Sequence, residues 1–163
     1  RWGGGGRLDG LRPMVDALGR QPSGRTVDIQ YVLPEFARTR LNTFPGRLDL
    51  PEGVRHDCHW TSLNFFSVRP EEAWGTKAGM EREIRDHYAP FVGEPAFGDV
   101  VYFTRPAGEI VHSAVYLAAN LVFTKNGDRI NQPWIIMDLD DLRSQYGIAL
   151  RDDLQLHYRR KRL

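Results

Sequence analysis

The chain has 163 residues, 22 Lys and Arg against 21 Asp and Glu for a formal net charge of +1, and 41 % apolar and aromatic content. That is the length of one domain with enough apolar side chains to build a core, and it excludes disordered and collagen-like classes. The charge balance leaves no electrostatic footprint for nucleic acid, no apolar run approaches the roughly eighteen residues a transmembrane helix needs, and one cysteine, Cys58, excludes an intramolecular disulfide and a multi-cysteine zinc site.

The chain opens at Arg1 and not at Met, as a fragment or processed form would. Residues 1–10, RWGGGGRLDG, predict a flexible Gly-rich lead-in, and LRPMVDALG a short helix with Pro13 in its first turn and Gly19 at its end. Together they form a lead-in over 1–25, ahead of one domain over 26–163. TVDIQYVL (26–33) alternates as a strand that Pro34 ends. PEFARTRLNTFPGRLDLPEG then reads as an ordered loop, either packed over the core or presenting aromatics and arginines to a partner. In HDCHWTSLNFFSVRP, Asp57 is a candidate N-cap, with Trp60, Leu63 and Phe66 near helical spacing before Pro70. Residues 71–88 form a second helical stretch with Trp74, Met80, Ile84 and Tyr88 on one stripe. From 98 the pattern changes to strands: GDVVYF (98–103), IVHSAVYLA (110–118), LVFTKNG (121–127) and PWIIMDL (133–139). A short helix closing on Gly147 and a last alternating segment, LQLHYRRK, complete the chain. Helices first and an antiparallel meander after, without βαβ alternation, predict an α+β fold.

Cys58 follows Asp57 at a predicted helix start, where the helix dipole and free amides favour the nucleophilic thiolate. A buried cysteine acting as a small hydrophobe is the bland alternative, but His56, Asp57 and His59 are not a hydrophobic setting. His112 lies in an apolar strand, and the order Cys then His suits a thiol hydrolase. A third group must accept from the far imidazole nitrogen. A three-residue loop at 118–120 places Asn126 opposite His112 with Thr124 on the same face, whereas a two-residue loop brings Lys125, which has no acceptor. Asn126 is the first choice and Thr124 the second.

On these residues the chain resembles the NlpC-like branch of the papain-like cysteine hydrolases: DC at 57–58 opening a helix, FGDVVYF at 97–103, and HSAVYLAANLVFT at 112–124. The resemblance implies a nucleophilic Cys58 on a helix packed against an antiparallel sheet that carries His112 and a third polar residue. It also implies amidase or peptidase activity on a bacterial cell-wall peptide or related amide, no cofactor, and a periplasmic or secreted location. Asp99 matches the family's Gly-Asp pair and is read as structural. DCHW stands where the family has a DCSG-type start, and the family's third residue, a His, falls near Thr124. Acyl transfer of the kind used by proteins resembling lecithin:retinol acyltransferase is an alternative.

Two rivals differ in class. His56, Cys58, His59 and His112 offer zinc or copper ligands, although neighbours 58 and 59 point apart on a helix. A catalytically inactive domain would use the same scaffold for binding. His87 reads as a surface residue, and HYRRKR (157–162) as a solvated basic end.

Overall fold

All five residues of Val100–Thr104 are buried, which requires a helical layer on each face of the sheet that holds them. The computed structural model describes residues 13, 16–22, 26, 28–46, 50–151 and 153–162. Its six-stranded sheet comprises β1 (Tyr88–Pro90), β2 (Val100–Thr104), β3 (Ile110–Ala118), β4 (Leu121–Lys125), β5 (Trp134–Asp138) and β6 (Gln155–Lys161), in the spatial order β1-β6-β2-β3-β4-β5. Every pairing between these strands is antiparallel. The fold is α+β, as expected.

One face is covered by α1 (Glu35–Arg40), α2 (Cys58–Leu63) and α3 (Lys77–His87). Phe36, Ala37 and Trp60 pack there with Val115, Leu117, Phe123 and Trp134, and Met80 and Ile84 pack with Val100 and Tyr102. The other face is covered by α4 (Leu139–Leu150), whose Leu139 and Leu142 meet Val101, Phe103, Ala114 and Val122. Strand alternation sorts odd and even residues between the two layers.

Several expectations are corrected. The described residues of 26–33 do not form a strand; Ile29–Tyr31 is a 3₁₀ turn, because the Asp28 carboxylate caps it by accepting from the Gln30 amide. The segment read as a loop after Pro34 contains α1, since Pro34 opens a helix as readily as it ends a strand. Phe36, Ala37 and Leu41 of that segment are buried, and Arg40 lies over the Phe36 ring at 4.0 Å. The segment is a cover for the core. The 71–88 stretch divides into a 3₁₀ turn, Glu72–Gly75, and α3, and Thr76 caps α3 through the Gly79 amide. Helix α2 stops at Leu63, leaving Phe66 half-exposed beyond it. Helix α4 runs through Gly147 to Leu150.

The strands are not a simple meander. After β5 the chain crosses by α4, and β6 inserts beside β2. The terminal basic run is therefore part of the sheet and not a solvated end. Arg160 grips the buried Asp99 carboxylate through Nε at 2.8 Å and Nη2 at 2.5 Å, and Lys161 pairs with Glu83 at 3.2 Å. Asp99 also accepts from the Ala96 amide at 2.7 Å, which makes it structural. Its neighbour Gly98 sits at φ +93°, and a Cβ there would lie 2.4 Å from the Phe66 ring. Pro13 and residues 16–19 are helical; the Gly-rich lead-in lies outside the described residues.

The helix that carries Cys58 is tied to the sheet on its Thr61 side by a buried side-chain bond, from Trp134 Nε1 to Thr61 Oγ1 at 2.9 Å. Thr61→Val keeps the shape and strands the indole N–H. Chemical denaturation should show a loss of about 1–3 kcal/mol, the cost of an unsatisfied buried donor. A loss below a few tenths would mean that the bond does not anchor α2.

Candidate active site

Cys58 is the first residue of α2. The Asp57 carboxylate caps the helix by accepting from the His59 and Trp60 amides at 2.8 and 3.0 Å, so the Cys58 amide lies outside the cap. The thiol is buried, with the residue 6 % exposed.

The strand residue that meets this turn is Ser113. Its Oγ lies 3.2 Å from the Cys58 carbonyl, 3.1 Å from Ser62 Oγ and 2.9 Å from His59 Nδ1. His112, one residue earlier, points to the α4 layer. There its ring stacks on Tyr146 with centroids 4.1 Å apart and tilts against Phe103 at 5.5 Å. It is fully buried. Among the described residues no hydrogen bond joins Cys58 Sγ to either nitrogen of His112, and Nδ1 has no partner.

His112 Nε2 is held by Thr124 Oγ1 at 3.0 Å. The same hydroxyl reaches the Ser113 carbonyl at 3.4 Å. A carbonyl can only accept, so both contacts are satisfied when Thr124 donates to it and accepts from Nε2–H. Nδ1 then carries the lone pair.

The hairpin reaches this arrangement by a route different from the expected one. Ala118 pairs with Leu121 around a two-residue loop, and a bulge between Tyr116 and Ala118 adds the missing residue. Beyond it, Tyr116 faces Val122 and Val115 faces Phe123, the register that a three-residue loop would have produced. Thr124 thus shares the His112 face. Asn126 does not reach the imidazole: its Nδ2 lies 3.3 Å from Met137 Sδ and 3.5 Å from Gln145 Oε1. Strand β4 ends at Lys125, so the backbone no longer aims Asn126 at β3. Lys125 turns to the opposite face, bonds the Gly127 and Arg129 carbonyls at 2.6 and 3.2 Å, and lies 5.8 Å from the Trp134 ring. Burial pushes its pKa down, against the raising influence of Asp128, Asp57 and Cys58.

Two residues absent from the sequence reading complete the site. Tyr146 covers His112, and burial first, then the charges of Cys58 and Asp57, push its phenol well above the usual range. The expected Cys58–His112 pair is therefore not in contact: Cys58 sits on the α2 face of the sheet, and on the opposite, α4 face His112 is covered by Tyr146. No pattern in the sequence marks Tyr146. Ser113 could have been found by parity, as the β3 side chain next to His112 that must face the opposite layer.

The proposed metal ligands go separate ways. His56 bonds Glu72 at 2.6 Å and stacks on Trp60 at 3.6 Å, while His59 and His112 are committed to Ser113 and Thr124. Among the described residues no cluster of three or more His, Cys, Asp or Glu is arranged to hold a metal ion. No helix of the described residues is long and apolar enough to cross a membrane. Comparison with protein-family models, curated proteins and solved structures found no match to this chain.

Burial lowers the pKa of His59, only partly opposed by Asp57. The unfolded chain, with an ordinary imidazole near 6.5, then binds a proton that the folded chain refuses. This contribution to stability is complete above about pH 6.5 and is lost as pH falls below it. Between pH 7 and 5, His59→Gln should flatten the fall of unfolding free energy with acidification; an unchanged slope would show that His59 is not held neutral.

Proposed function

We propose that this domain is a thiol hydrolase of papain-like type acting on a peptide or related amide, with Cys58 as nucleophile, His112 as base and Thr124 as the residue that orients His112. The observation that carries the reading is the Thr124 hydroxyl, placed between the Ser113 carbonyl and His112 Nε2, with Nδ1 left unpaired. An imidazole anchored at one nitrogen and unpaired at the other is what proton transfer requires.

In the reaction, Cys58 Sγ attacks the substrate carbonyl carbon and its proton passes to His112 Nδ1, a step that requires the two to be brought together, since His112 rests in the α4 layer across the sheet from α2. The Cys58 amide, left free by the Asp57 cap, donates to the oxyanion. Collapse breaks the C–N bond, His112 gives its proton to the leaving amine, and a thioester remains. Water then attacks the thioester, losing a proton through His112, and the acid and the thiol are released. Thr124 keeps the tautomer correct throughout.

A second reading has its own support. Cys58 is 6 % exposed and His112 is fully buried beneath Tyr146, as in a scaffold kept for binding rather than chemistry.

Alkylation of Cys58 by iodoacetamide at pH 6.5 separates them. A hydrolase thiol should react at least about tenfold faster in the folded protein than in the urea-unfolded chain, because His112 takes up its proton as it reacts. His112→Ala should remove the difference. Protection of Cys58 by folding, with or without His112, would establish the binding scaffold and overturn the hydrolase. In turnover of a peptide amide, Thr124→Val should cost about tenfold or more and Asn126→Ala under about twofold. Equal losses would return the orienting role to neither.

A further inference from the structure

We propose that His59 is a substrate-recognition residue whose Nε2 faces the neighbouring groove as a fixed hydrogen-bond acceptor, selecting a peptide that offers the backbone N–H of the residue whose carbonyl is attacked. This deepens the thiol-hydrolase reading, on which it rests for which carbonyl faces Cys58. It favours amides over simple acyl esters.

The groove encloses about 840 Å³ beside α2, within the size range of ligand sites. Asp57 and His59, the residues on either side of Cys58, both line it. Trp74, Met80 and Ile110 supply apolar wall on the same lining, suited to an aliphatic side chain. Extended peptide laid there would present alternating side chains to this wall and backbone groups to His59.

The direction of the hydrogen bond follows from counting protons. Four contacts converge: His59 Nδ1 to Ser113 Oγ at 2.9 Å, Ser113 Oγ to Ser62 Oγ at 3.1 Å, Ser113 Oγ to the Cys58 carbonyl at 3.2 Å, and Ser62 Oγ to that carbonyl at 2.9 Å. The carbonyl brings no proton and each serine brings one. With Nδ1 unprotonated, two protons serve four contacts. With Nδ1–H, the chain runs from His59 to Ser113 to Ser62 to the Cys58 carbonyl, every bond carrying a proton, and Ser113 shares its own with that carbonyl. The neutral ring then holds its lone pair at Nε2. That atom has no protein partner among the described residues and is not among the buried unsatisfied atoms, so it opens to the groove. A site that can only accept rewards an N–H and leaves an ester unmatched.

The test is binding, measured by calorimetry with Cys58→Ala protein so that nothing is consumed, and repeated with Cys58→Ser. The probes are N-acetyl-Leu-Ala-amide and the same peptide methylated at the leucine nitrogen. The first should bind about tenfold more tightly, the worth of one hydrogen bond. Adding His59→Phe or His59→Ala should abolish the preference. Adding His59→Gln, whose amide nitrogen can take over the Ser113 bond while its oxygen faces the groove, should retain it. Binding of neither peptide, a preference that survives loss of His59, or a glutamine variant that behaves like alanine would each overturn the proposal. Wild-type turnover is scored separately. Intact discrimination without turnover would sink the hydrolase and leave the recognition site standing; turnover without discrimination would do the reverse.

Discussion

The site depends on Ser113, because it is the residue through which both imidazoles are oriented. Its backbone carbonyl receives the Thr124 hydroxyl that fixes His112, and its side chain receives His59. The two functions point to opposite faces of β3, since carbonyl and side chain belong to one residue on a strand covered on both sides. Replacing Ser113 by a larger residue would disturb one layer through the side chain and the other through the register. The residue is fully buried, so no water can stand in for either bond. The two faces of the sheet are thus adjusted from one residue.

Positioning Cys58 is a separate problem, solved by groups whose demands are already met elsewhere. Asp57 uses its carboxylate on two amides of α2. Thr61 holds the opposite side of the helix to Trp134, and Ser62 folds back on the Cys58 carbonyl. With six residues, α2 is too short to be stable alone. Tertiary bonds therefore define where its first residue sits. On the side away from β4, Asp99 and Arg160 lock β6 to the start of β2, at the end of β2 opposite Phe103, the partner of His112.

Much of this was legible in the sequence, and the rest was hidden for identifiable reasons. β3 was read at its observed limits because apolar and β-branched residues run between turn residues, and Asp57 was recognisable as a cap because its side chain precedes a helical spacing. The His112–Thr124 side of the hairpin followed from parity alone. The choice of Asn126 over Thr124 failed because parity does not say where a strand stops. The 26–33 segment failed because Asp28 gives the backbone a local bond that competes with a strand. The insertion of β6 beside β2 left no signal, since alternation records which face a side chain takes and not which strand lies alongside. The basic run was misjudged for the same reason: its partners, Asp99 and Glu83, are distant in sequence.

Tyr146 covers His112 from the α4 layer, and it limits what can reach the imidazole. Its ring lies flat on His112, so a substrate cannot approach the imidazole from that side. The groove against Asp57 and His59 lies across the sheet from it, on the α2 face, and neither His112 nor Tyr146 lines it. Burial of this kind strengthens the interactions among His112, Thr124 and the Tyr146 ring by removing water. It also makes any unpaired charge there costly, which is the physical ground on which the binding-scaffold reading competes with the hydrolase.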